Sequence, residues 1–145
     1  MKWLYFTYVI YWSAVITAVL FTLAGYPLIP PEEFKKAINE TAQTPYEQRL
    51  AQTVAEFALV AAFSYPALIY ASVAYGVVTA AAAEAMGLGY AMISAAVYHL
   101  VLLIMEETAK WHPVAQKLAK RGRIDLRRYL LWTALLLSLA GVLSL

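Results

Sequence analysis

At 145 residues the chain is sized for one domain, and its 63% hydrophobic against 14% charged residues excludes an ordinary soluble core, where about 25% charged residues is typical. The net charge of +2 is small, but its distribution is lopsided, with seven of the eleven Lys and Arg residues in one stretch. With no cysteine, disulfides, thiolate metal sites and cysteine nucleophiles are excluded.

The first apolar run, Trp3 to Ile29, follows Lys2 and is dense in aromatics: Trp3, Tyr5, Phe6, Tyr8, Tyr11 and Trp12. It is longer than the apolar part of a cleaved signal peptide and lacks an Ala-x-Ala-like site, so a retained helix is expected. Trp3 and Tyr5 mark one membrane interface, and Pro27, Pro30 and Pro31 end the helix at the other. Between Pro31 and Gln52 the charges are mixed (Glu32, Glu33, Lys35, Lys36, Glu40, Glu47, Arg49), and Phe34 and Ile38 predict a short helix at the surface.

From Val54 to Met105 the apolar character persists for 52 residues. At about 1.5 Å per residue that is too long for one crossing of a bilayer core of about 30 Å. The best turn is Glu84 to Gly89, where two glycines and a carboxylate suit an interface better than hydrocarbon. This predicts helices over about Val54–Ala83, bent near Pro66, and Tyr90–Met105. A basic stretch, Glu106 to Arg128, follows, and then a last run, Tyr129–Leu145, lengthened by the snorkelling stems of Arg127 and Arg128. The predicted fold is all-α, one membrane domain of four main hydrophobic helices in two helix-loop-helix hairpins, about 1–84 and 85–145. If the two polar loops share one side they hold ten basic residues against Lys2 on the other, which predicts both loops cytoplasmic and both termini outside. The triplet Asn39-Glu40-Thr41 is a glycosylation sequon that argues for the opposite placement of the first loop; the charge rule is given more weight.

Small residues recur at four-residue spacing: Ala58 and Ala62, Ala67 and Ala71, then Ser72, Gly76 and Ala80, with Ala91 and Ala95 beyond the turn. Lipid offers no hydrophobic drive between helices, so such faces promote association by close backbone approach, within one chain or between copies. Asn39 is the only Asn, and with the missing Cys and the abundant Tyr, Ala and Val this composition fits a heat-adapted organism, a hyperthermophilic archaeon being the expectation.

Chemistry has few footholds. Glu84 sits at a turn, where a solvated carboxylate is the plain reading against a proton- or cation-binding one. His99 lies deep in the third apolar segment, where a histidine satisfied by a hydroxyl or carbonyl competes with a metal or haem ligand. There are two histidines and no Glu-x-x-His or His-Glu-x-x-His spacing, so no metal site and no cofactor are expected. There is no phosphate-binding glycine loop and no Gly-x-Ser-x-Gly elbow, so enzyme activity and a small-molecule substrate are not expected. Glu106, Glu107 and Lys110 read as a charge-paired helix end.

The basic residues Lys110, Lys117, Lys120, Arg121, Arg123, Arg127 and Arg128 read first as a topology determinant that binds anionic headgroups. A second reading is contact with nucleic acid phosphate, without base recognition, because Trp111 is the only aromatic between Glu106 and Arg128. The order Tyr90–Met105, basic loop Lys110–Arg128, Tyr129–Leu145 resembles the helix, basic loop, helix hairpin of bacterial conjugative pilins and the related archaeal DNA-import pilins, over roughly the last 55 residues. The resemblance implies a subunit inserted in the membrane and then assembled with lipid into a hollow extracellular filament, the basic loop and headgroups lining a lumen through which DNA passes. The chain departs from that single hairpin by a further helix-loop-helix ahead of it. The expected function is therefore a self-associating pilin-like subunit with bound membrane lipid. The alternatives are a small accessory subunit of a respiratory or transport complex, and a proton-coupled transporter working through Glu84 or His99.

Overall fold

The computed structural model describes residues 2–119 and 122–145, with side chains from Phe6 onward. Trp3 and Tyr5, the expected interface markers, and Lys120 and Arg121 lie outside the described side chains. The described residues form seven α-helices and no strand: α1 Lys2–Leu23, α2 Pro31–Gln43, α3 Tyr46–Phe63, α4 Tyr65–Met86, α5 Leu88–Trp111, α6 Pro113–Leu118 and α7 Leu126–Leu143. Four of them, α1, α4, α5 and α7, are long and apolar enough to cross a bilayer, which points to membrane association.

Boundaries follow local chemistry. The amphipathic α2 opens on Pro31, whose missing N–H costs nothing in a first turn, with Glu32 and Glu33 where the helix dipole favours negative charge. The turn expected between Glu84 and Gly89 is a single residue, Gly87, at φ +90°, a conformation that favours glycine. The stretch Val54–Ala83 differs from the expected bent helix, because it is two helices separated at Ser64. Pro66 has no N–H to offer the Ala62 carbonyl, and Ser64 stands at φ +59° with its own N–H on the Val60 carbonyl at 2.8 Å. The buried Ser64 hydroxyl donates to the Ala109 carbonyl at 3.0 Å, which holds this unfavourable backbone in place. Likewise α5 runs past Met105 to Trp111, and α7 starts at Leu126 because the Asp125 side chain caps it, accepting from Arg128 N at 3.0 Å.

The chain divides into two compact units, each discontinuous and each drawing on both of the stretches 1–84 and 85–145. The first comprises Met1–Thr44 and Ile69–Leu100. Here α1 and α4 run side by side in the same direction, with Tyr11 on Thr79 (2.6 Å) and Thr22 on Glu84 (3.2 Å). Gly76 makes this possible, since a Cβ there would fall 2.5 Å from the Tyr11 carbonyl oxygen and 2.7 Å from Ala14 Cβ. Thr79 donates to the Tyr75 carbonyl at 2.8 Å, so the Tyr11 hydroxyl is the donor to Thr79, and both groups are satisfied out of water. α5 runs opposite to α4, with Tyr75 and Tyr98 stacked at 4.5 Å. α2 buries Phe34 against Ala81, Ala82 and Ala91, with Ile29 and Ile38 alongside. The first polar loop thus packs at the Gly87 turn, whereas four crossings would set the two at opposite ends.

The second unit comprises Pro45–Leu68 and Val101–Leu145. α3 and α7 pack antiparallel: Tyr46 donates to the Gly141 carbonyl (3.3 Å) at one end and Tyr129 to the Ala61 carbonyl (2.9 Å) at the other. Between them Phe57, Val60, Leu136 and Ala140 are buried.

Candidate functional site

The sequence between α5 and α7 reads as an open basic loop; the structure folds it. His112 and Pro113 open α6, the His112 Nδ1 accepting from Val114 N at 3.3 Å. The side chain of Gln116, 1% exposed, then closes the corner: its amide NH2 donates to the Trp111 carbonyl and to the Asp125 carbonyl (3.3 Å), while its oxygen accepts from Asp125 N at 2.7 Å. One side chain therefore satisfies three backbone groups of a turn that would otherwise need water.

Of the five basic residues that the structure describes here, two are paired with carboxylates of the same chain. Lys110 pairs with Glu107 at 2.8 Å, an i,i+3 contact rather than an i,i+4 one, and the same carboxylate accepts from Trp111 Nε1 at 3.0 Å. Arg128 pairs with Asp125 at 3.2 Å and lies over the Trp111 ring, 4.5 Å from its centroid. His112 meets Tyr129 edge-on at 5.5 Å. Lys117, Arg123 and Arg127 are exposed. A groove of about 370 Å³ is lined by Asp125, Arg127, Arg128 and Leu131, so one guanidinium group paired with a carboxylate and a second, exposed one stand beside an aliphatic wall.

The small residues fall into two classes. Ala71, Ser72, Gly76, Ala80 and Ala91 are buried within the first unit, and Gly76 meets α1 of the same chain. Ala67 and Ala95 are half-buried, while Ala58 and Ala62 on α3 are exposed. Glu84 is exposed and accepts from Thr22. Glu106, by contrast, is buried.

His99 stands among three rings of α1, Tyr8 (5.0 Å), Tyr11 (4.6 Å) and Trp12 (5.8 Å). Its Nδ1 bonds the Ala95 carbonyl one turn back, so Nδ1 is the donor and carries a proton. His99 Nε2 and Trp12 Nε1 are buried without a hydrogen-bond partner in the protein. Among the described residues no three His, Asp or Glu side chains converge as metal ligands would.

Sequence reasoning missed Gln116, Asp125 and His112. Two of them carried a readable signal: His112-Pro113 is a cap followed by a first-turn proline, and Asp125 precedes an apolar run as an N-cap should. Nothing in the sequence marks Gln116, whose role arises from tertiary closure. No protein-family model, no curated protein and no solved structure matches this chain.

Proposed function

We propose that the chain is a non-catalytic structural subunit of a membrane assembly, anchored to phosphate-bearing lipid headgroups by the folded basic corner between α5 and α7. The observation that carries this reading is the groove of Arg127 and Arg128 beside Leu131, fixed by the Gln116 and Trp111 contacts. Each cationic side chain near an anionic membrane surface is worth about 1 kcal/mol. Replacing Lys117, Arg123 and Arg127 with Gln is expected to strip most anionic lipid from the purified protein, read by mass spectrometry. Unchanged lipid content would refute the headgroup role.

Two kinds of assembly fit this function. An accessory subunit of a larger membrane complex is favoured by the internal use of the Gly76 face, which leaves that face unavailable to further copies. A lipid-bearing filament of the conjugation or DNA-import type is supported by the succession of helix, basic corner and helix in α5 to α7. Electron microscopy of purified material separates them, filaments of one polypeptide against discrete particles containing others.

A further inference from the structure

The direction of the helices in the first unit has a consequence for how the chain lies in a bilayer. α1 and α4 are parallel: moving along α1 from Tyr11 to Thr22 moves along α4 from Thr79 to Glu84. Two membrane-crossing helices of one chain can run in the same direction only if the chain crosses back between them. After α1, the chain reaches α2 at the Gly87 end, where Phe34 packs on Ala81, Ala82 and Ala91. It must then return to Ile69, at the far end of an α4 stretch of about 27 Å. The one element available is α3, whose 18 residues also span about 27 Å. Its charges sit mostly at one end, Glu47 and Arg49 near the α2 side, leaving Glu56 as the sole ionisable residue between Gln52 and Phe63.

Resting on the membrane reading above, we propose that α3 is a fifth crossing, which sets α2 on the face opposite the basic corner and presents Asn39 of Asn39-Glu40-Thr41 on the outer face as an N-glycan acceptor. α5 runs opposite to α4, so it leads away from the Gly87 turn to the basic corner, on the side where α1 begins. α7 is antiparallel to α3, so Leu145 ends on the side of α2. The charge rule then has a clear answer among the described residues: Lys2, Lys110, Lys117, Arg123, Arg127 and Arg128 lie on one face, against Lys35, Lys36 and Arg49 on the other. The basic corner is cytoplasmic. The sequon, which conflicts with the charge rule in a four-crossing chain, agrees with it in a five-crossing one, and Asn39 is exposed on α2.

The absence of native cysteine makes the test direct. In intact cells a membrane-impermeant maleimide is expected to label a Gln43→Cys variant, while a Gly122→Cys variant labels only after permeabilisation. Labelling of both from the same side overturns the fifth crossing; Gly122→Cys labelled outside with Gln43→Cys protected overturns the orientation. Translation with endoplasmic-reticulum microsomes should add one glycan, lost in Asn39→Gln, and a chain that gains none overturns the acceptor assignment. Alkaline carbonate extraction run on the same membranes tests the underlying reading separately, because release into the supernatant would remove the membrane assignment itself.

Discussion

The α1–α4 contact and the basic corner hold backbone against backbone by different means, the first by a close approach at Gly76 and the second by polar closure around Gln116. Between α1 and α4 the missing side chain of Gly76 lets the backbones approach, and the Tyr11–Thr79 and Thr22–Glu84 hydrogen bonds flank that close approach. In the corner, shape counts for little: Gln116, Asp125, Glu107 and the Trp111 ring hold the chain by hydrogen bonds and charge. The close approach at Gly76 fails on the addition of atoms, whereas the polar pairing of the corner fails on deletion, so the two regions are separable by mutation.

The largest effect is expected at the shape-set contact. Gly76→Leu places several heavy atoms where one already meets backbone, and should cost about 3 kcal/mol, the upper end for overpacking. The loss appears as unfolding or aggregation of the chain itself in detergent thermal scans. Normal melting with impaired assembly would mean that the face serves contacts between copies. Next comes Gln116→Ala, which strands up to three backbone groups at about 1–3 kcal/mol each when buried. Its expected signature is local, new proteolytic cleavage between His112 and Asp125 while the α1–α4 region stays resistant. Arg128→Leu removes a cation–π contact and a partly exposed ion pair, worth about 0.5–1 kcal/mol, and should quench or shift Trp111 fluorescence more than it moves the melting point. The smallest effect is predicted for His99→Phe. The ring contacts with Tyr8, Tyr11 and Trp12 are kept and the unpartnered Nε2 is removed, so the melting temperature should hold or rise slightly. A marked fall would show that the His99 Nδ1 bond to the Ala95 carbonyl outweighs the cost of the unpartnered Nε2.

The apolar helices were legible because lipid-facing and core-facing positions are both hydrophobic, so run length alone reveals α1, α4, α5 and α7. Gly87 was legible as a turn for the conformational freedom of glycine. α3 was not, because Glu47, Arg49 and Glu56 make a helix that packs on α7 look like a polar loop running into an apolar one. Ser64 gave no sign either, since its strained backbone is stabilised by Ala109, far away in the sequence. At the candidate site the sequence shows the charges and hides their division of labour. That Lys110 and Arg128 are engaged by Glu107 and Asp125 follows from helical spacing, i to i+3, once the helix boundaries are known.

The one-residue break at Ser64 also bears on biogenesis. A segment with Glu56 at its middle gains little by leaving the translocon alone, where an ionisable residue such as Asp at mid-membrane costs about 2.5–3.5 kcal/mol. Only Ser64 separates its last residue, Phe63, from the strongly apolar Tyr65–Met86. If α3 is a crossing as proposed, the strongly apolar α4 that follows it so closely would carry it into lipid. Lengthening the break with a flexible linker should leave α4 inserted and strand α3 in water, uncoupling synthesis of the chain from its final topology.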